Sequence, residues 1–254
     1  MNIAVLLKQV PDTWGERRID LSTGLVDRGA SDAVIDEICN RALEVALSYK
    51  DSADATVVVL TMGPAPVQEM LRKALAMGAD SAMHVSDDAL AGADTLQTAE
   101  VLAAALHSTG FDLVIAGNES TDGCGGVIPA LIAERLGVPH ASFLESVTIG
   151  VDGVRGERAV EGGSVQLFAP LPAMVSVTER LPEARFPSFK GFMQAKKKPL
   201  KVLTLADLDA EIPVSSSMVV AAAERPARDV GTKIVDEGNA ARQIVEFLVA
   251  NGLA

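Results

Sequence analysis

The sequence predicts an α/β fold: a doubly wound, mostly parallel sheet, extended by antiparallel strands and followed by a C-terminal arm. Three observations predict it. Short continuous apolar runs at residues 3–7, 57–60 and 113–116 have the character of strands covered on both faces. Amphipathic helical patterns alternate with these runs. Between residues 117 and 127 a strand passes into a helix through a polar, glycine-rich stretch, where open α/β sheets take their ligands.

The elements follow in order. The first run ends at Pro11-Asp12, and residues 15–29, charged and glycine-containing, suggest a small hairpin or excursion. In the first helix Val34, Ile38, Ala42, Val45 and Ala46 share a face, with Asp32 as the expected N-cap. The second helix, residues 65–77, stops at Gly78. In the third, Asp94 and Gln97 have capping-box spacing ahead of Leu102 and Leu106. The run at 113–116 is the fourth main strand, and a fourth helix follows the glycines. From 142 to 177 the period changes. Val147, Ile149, Val154, Val165, Leu167 and residues 174–177 suggest consecutive strands turning at Asp152-Gly153 and Gly162-Gly163. Beyond Lys201 the chain loosens, then closes with an amphipathic helix at 240–250 carrying Ile244, Phe247 and Leu248, which needs another surface to pack on. The expected organisation is an α/β domain over 1–200 and an arm over 201–254.

Composition excludes several classes. With 254 residues and 48% of them apolar, a large core can form. The formal charge of −12 argues against nucleic acid as a partner. Three histidines (His84, His107, His140) and two cysteines without a Cys-x-x-Cys pair favour neither a zinc site nor a disulfide framework. The opening residues lack a basic leader, and no apolar run approaches the ~20 residues of a membrane span, so membrane insertion is not expected. A soluble protein of the reducing cytoplasm is expected.

The glycine-rich stretch, Gly117 with Asn118-Glu119-Ser120-Thr121-Asp122 and then Gly123, Cys124, Gly125 and Gly126, has two readings. Its backbone N–H groups can close on a phosphate at a helix start, or it is a tight turn with Asp122 as a cap. It is neither the Rossmann fingerprint nor a phosphate loop of the Gly-Lys-Ser/Thr kind. No lysine or arginine lies near it in sequence, which favours a monophosphate over a triphosphate. No histidine lies near Cys124, so a small buried or half-buried thiol is expected there, and Cys39 reads as packing. Asp87-Asp88 and Asp207-Asp209 read as loop and cap residues, and no acid–base pair is evident; no catalytic residue is assigned.

A second unusual stretch is "RFPSFKGFMQAKKK", residues 185–198. Pro187 and Gly191 disfavour regular structure there. Phe186 and Phe192 are expected to pack under the loop. A protruding aromatic flanked by Lys190, Lys196, Lys197 and Lys198 suits the docking of a transient partner.

Together with "VLLKQVPD", "DEICNRALEVAL", "MGPAPVQEMLRKALAMGADSAMHV", "LVIAGNESTDGCGG" and "LPAMVSVTERLPEARFPSFKGFMQAKKK", these stretches resemble the beta subunit of electron transfer flavoproteins over most of residues 1–200. The resemblance implies an adenine-nucleotide-binding type of sheet and an electron carrier, not an enzyme. It implies pairing with an alpha subunit that holds FAD, and a buried AMP with no redox role. Matching AMP-pocket positions are Leu6, Asp36, Glu37, Ile38, Cys39, Met62, Gly117, Asp122, Gly123, Cys124, Gly125, Gly126 and Val127. Thr13 and Ile38 match positions near the partner's FAD. Phe189, with Lys190 and Lys196 to Lys198, matches the loop that engages acyl-CoA and other flavin dehydrogenases, usually through a leucine. Electrons would leave to a membrane quinone reductase or another acceptor, and the tail beyond 201 matches an arm on the alpha subunit. Two departures stand out. Asp36-Glu37 replaces the common Asn-Pro, and the glycine loop is shorter by a residue, leaving Ser120 or Thr121 to supply a hydroxyl. Two alternatives remain at this point: a bifurcating relative with a second FAD in the AMP site, and a stand-alone nucleotide-binding protein of the universal-stress type.

Overall fold

The computed structural model describes residues 1–228 and 230–253. The strands are β1 (Asn2–Leu6), β2 (Gln9–Pro11), β3 (Ala33–Ile35), β4 (Thr56–Met62), β5 (Ser81–Val85), β6 (Leu113–Gly117), β7 (His140–Leu144), β8 (Ser146–Ile149), β9 (Gly153–Val160), β10 (Gly163–Pro170), β11 (Ala173–Val177) and β12 (Leu200–Leu203). The α-helices are α1 (Glu37–Ser52), α2 (Val67–Met77), α3 (Thr95–Thr109), α4 (Ile128–Leu136), α5 (Phe189–Ala195) and α6 (Ala240–Ala250).

The main sheet has the order β12-β5-β4-β1-β6-β11-β7, and each of its pairings is parallel. Its central strands are the apolar runs, because only a strand buried on both faces can be apolar throughout. Helices α1 and α2 cover one face and α3 and α4 the other, so two apolar clusters sandwich the sheet.

The expected antiparallel strands are present, but they form their own three-stranded sheet, β10-β9-β8. The last of the expected meander, residues 173–177, is instead a fully buried strand inserted parallel between β6 and β7. Two further expectations are corrected. Residues 33–35 pair with β2, so the first helix starts later, and Asp36 rather than Asp32 caps it, accepting from the N–H groups of Ile38 and Cys39 at 3.0 and 3.4 Å. Val34 therefore belongs to a strand. At α3, Asp94 accepts from Gln97 N at 2.8 Å, but Gln97 does not complete a capping box. Its amide donates to Pro213 O at 3.0 Å and accepts from Ser215 Oγ at 2.9 Å, while the second Asp94 oxygen takes the N–H groups of Ser216 and Ser217. Residues 213–217 are thereby fastened to the body.

The chain from Met1 to Ala222 forms one compact unit, and a second begins at Ala223. The expected break at 201 thus falls later, because residues 200–203 are the outer strand beside β5. Within the second unit α6 buries none of its residues, and Ile244 and Phe247 are at least half exposed.

Residues 189–195, expected to be irregular, form α5. Ser188 caps it by accepting from Gly191 N at 3.0 Å. Gly191 permits the contact with α2: a Cβ there would lie 2.2 Å from Ala76 O. Lys198 completes the joint, its ammonium donating to Leu75 O at 2.9 Å and Ala79 O at 2.6 Å, carbonyls left open at the end of α2. Burial and the neighbouring Lys50 hold that ammonium below the usual lysine range. Lys198 is therefore a structural residue and not a free docking charge. Gly191→Ala is expected to destabilise the chain by about 1–3 kcal/mol in urea titrations, because a backbone carbonyl cannot yield as a flexible side chain would. Alanine's better helix propensity, about 1 kcal/mol, acts in the opposite direction, so equal or higher stability would show that α5 can move away at little cost.

Candidate functional site

The site is built at the carboxyl edge of the sheet, where β1, β4 and β6 end beside the start of α1. Gly117, the last residue of β6, lets α1 come close: a Cβ there would meet Ile38 Cγ2 at 3.1 Å and the Cys39 N at 3.3 Å. Ile38 and Cys39 are consequently buried. Ile38 packs on Gly117, leaving little surface for contact with a second ligand. Burial, reinforced by the Asp36 carboxylate, pushes the Cys39 thiol up to about 12, so it stays protonated and packs as an apolar group.

Asp36 joins α1 to the glycine loop. Its carboxylate is fully buried and serves both elements. One oxygen caps the helix, and the other accepts from Thr121 N and Thr121 Oγ1, each at 2.7 Å. Thr121 is held from its other side by Arg17, whose guanidinium donates to the Thr121 carbonyl and, at 2.9 Å, to its hydroxyl oxygen. The Thr121 hydroxyl is thus committed within the protein. Ser120 Oγ accepts from Lys8 Nζ at 3.0 Å and from Gly123 N–H at 3.4 Å, and its hydroxyl supports Asp122, so neither hydroxyl of the loop is left open to a ligand.

Lys8 also pairs with Asp122 at 2.7 Å, and the Asp122 side chain is only 4% exposed. Burial alone would raise this carboxyl, but the Lys8 ammonium, with help from Ser120 and Gly123 N–H, holds it below the usual range. Asp122 therefore braces the loop and is not a helix cap; α4 has Val127 at its N-cap and no side-chain cap. The expectation that no cation stands near the loop is overturned in space, since Lys8 and Arg17 arrive from more than 100 residues away. Each is answered within the protein, however: Lys8 by Asp122, and Arg17 by carbonyl and hydroxyl oxygens with Asp36 on the far side of Thr121.

Further round, Cys124 and Gly126 adopt left-handed angles (φ 47° and 65°), and Cys124 is exposed, not buried or half-buried as expected, because it sits at this bend. Among the described residues, the N–H groups of Gly125, Gly126 and Val127 meet no protein acceptor. Gly123 N–H is turned back onto Asp122 at 2.7 Å. A Cβ on Gly125 would meet nothing within 4 Å, so the space above it is open. At the root of the loop Asn118 is 6% exposed and its Oδ1 has no partner, an acceptor that a bound donor would satisfy. Leu6 and Met62, at the ends of β1 and β4, lie on the same edge. Glu37, by contrast, lines a depression with Arg41, Lys73, Arg185 and Phe186. Thr13 is exposed in the turn after β2.

On the stretch 185–198, Phe189 is 84% exposed at the first turn of α5, and Lys190, Lys196 and Lys197 are exposed as well. Phe186, expected to be packed, is 93% exposed. Its neighbour Arg185 is pinned to Glu44 and Asp51 at 2.8 Å, which fixes the backbone and leaves the next side chain outside. Phe192 is half exposed.

Comparison with known proteins adds the following. The model of the electron transfer flavoprotein domain matches residues 23–208. The chain is 49% identical, over 98% of both chains, to the electron transfer flavoprotein subunit beta of Mycobacterium leprae. It is 38% identical to the subunit of that name from Thermoanaerobacterium thermosaccharolyticum, over 83% of this chain and 81% of the other. It is 37% identical to the caffeyl-CoA reductase-Etf complex subunit CarD of Acetobacterium woodii, over 82% of this chain and 80% of that one. Among the described residues no helix is long and apolar enough to cross a membrane.

Removing the Asp36 carboxylate would strand buried N–H groups on both the helix and the loop. Asp36→Ala is expected to cost about 2–4 kcal/mol of stability by chemical denaturation. A loss below about 1 kcal/mol would mean that water replaces the carboxylate and that the joint is weak.

Proposed function

This chain belongs to the electron transfer flavoprotein family, and we propose that it acts as the beta subunit of a heterodimer, with AMP in its glycine loop and FAD held mainly by an alpha subunit. The FAD supplies the electron-carrying chemistry when bound, and the AMP supplies none. Electrons from acyl-CoA and other flavin dehydrogenases pass through the heterodimer to a quinone reductase or another acceptor, in the cytoplasm. The observation that carries the nucleotide reading is the set of free N–H groups at Gly125, Gly126 and Val127, with open space at Gly125, together with the unpartnered Asn118 oxygen at the root of the same loop. These groups fit one phosphate and one further donor. Lys8 and Arg17 are already engaged, which leaves little positive charge for a triphosphate; this, and not an absence of cations, favours the monophosphate.

The remaining assignments rest on the family. The exposed apolar side chains of α6 suit an arm that packs on the alpha subunit. Thr13, exposed after β2, is assigned to the partner's flavin. Phe189 with Lys190, Lys196 and Lys197 is assigned to dehydrogenase docking, where one aromatic anchor and a few charges give a fast, short-lived contact.

Two measurements test these assignments. Denaturing the purified heterodimer should release about one AMP and one FAD per complex by mass spectrometry. Two flavins and no AMP would replace the reading by the second-flavin alternative. Gly125→Val, whose Cβ would meet no protein atom within 4 Å, is expected to abolish AMP retention at nearly unchanged folding of the chain. Separately, Phe189→Ala should slow reduction by a partner dehydrogenase by an anchor's worth, about 2 kcal/mol. Flavin spectrum and AMP content should stay as they were. Normal dehydrogenase kinetics in that variant would remove Phe189 from the docking surface.

A further inference from the structure

We propose that Arg17 is a positioning residue that straps the turn carrying Thr13 and Trp14 to the nucleotide loop, so that the order of that turn follows occupancy of the loop. The inference rests on the reading that the loop holds a nucleotide, but its physical basis is separate. Arg17 Nε and Nη2 donate to Pro11 O at 3.2 and 3.1 Å, closing residues 11–17 into a turn. The same guanidinium reaches the carbonyl and the hydroxyl of Thr121. A planar fork with fixed donor directions can hold two backbone segments at once, which a lysine ammonium on a flexible stem does poorly.

The far side of Thr121 is fixed by the buried Asp36 carboxylate. Thr121 is therefore clamped between a residue of the core and a residue of the turn. Gly125 to Val127, a few residues further on, carry the free N–H groups. A ligand that orders those residues stiffens Thr121, and through Arg17 stiffens the turn. At the outer end of the turn Trp14 is 97% exposed, with only a backbone N–H bond to Asp12 at 3.0 Å. The coupling runs through four hydrogen bonds from one side chain, so it has a single point of failure. Any ligand that reaches the loop must differ in affinity for its ordered and disordered forms for the effect to exist.

Trp14 is the chain's single tryptophan, which provides the probe. The heterodimer is assembled with 5-fluorotryptophan in this chain alone, giving one fluorine resonance. Removing and restoring AMP should shift or broaden that resonance in the wild type and leave it unmoved in Arg17→Gln. Amide hydrogen exchange over residues 120–126 should be at least about tenfold faster in Arg17→Gln, with or without AMP. Arg17→Lys, which keeps the charge and loses the fork, should behave like Arg17→Gln. Unchanged exchange in Arg17→Gln, an equal AMP response of its Trp14 signal, or a wild-type-like Arg17→Lys would each overturn the proposal. If Arg17→Gln does not assemble, Arg17→Lys takes its place in both comparisons, and a full Trp14 response in that variant overturns the proposal. A wild-type complex that takes up no AMP overturns the nucleotide reading instead, and the exchange comparison still decides for or against the strap.

Discussion

One buried carboxylate, that of Asp36, fixes the geometry on which the candidate site depends. A charge taken out of water is costly unless every lone pair meets a donor. Here four donors converge on two oxygens, two from the first turn of α1 and two from Thr121. Helix and loop are consequently parts of one polar cluster. Because Gly117 admits the helix to within contact of β6, that cluster sits directly on the sheet edge. An asparagine at this position would present an amide donor to one of those N–H groups, so the acidic residue of this chain goes with a loop tied down by the protein itself.

The electrostatics of the edge follow from the same economy of partners. Lys8 and Asp122 cancel, and Arg17 spreads its charge over the neutral oxygens of Pro11 and of Thr121, the second of which is held by Asp36. What remains for an anion is the backbone, through N–H groups whose direction is set by the left-handed angles of Cys124 and Gly126. Such a site selects by shape and by the number of free donors, and salt screens it less than a patch of lysines on the surface.

Much of this was legible in the sequence where the signal is local. The three apolar runs are buried strands, and the glycine stretch lies at the edge the strand-to-helix order requires. Legibility ended where partners are distant. Nothing in the spacing joins Lys8 to Asp122 across 114 residues or Arg17 to Thr121 across 104. Residues 173–177 are as apolar as 113–117, yet the turn signals before them suggested a hairpin, and only the pairing showed a parallel strand. Gly191 reads as a helix breaker in one dimension; in three it is the residue that fits against Ala76. The exposure of Cys124 and Phe186 is not legible in one dimension, because burial of a loop residue depends on what its neighbours are fastened to.

The outer position of β12 bears on how the chain is made. β5 ends at Val85, but the strand that covers its free edge begins only at Leu200, 115 residues later (200 − 85). At synthesis rates of about 5–20 residues per second, the β5 edge waits roughly 6–23 s for its neighbour. Through that interval an apolar strand with unpaired N–H and C=O groups is open to pairing with another nascent chain. The stretch that closes it carries Lys198 and α5 with it, so one late segment of the body both covers the edge and seals the end of α2. Premature termination shortly before residue 200 would leave a body with nearly all of its core and an exposed edge, a product suited to aggregation and to capture by chaperones.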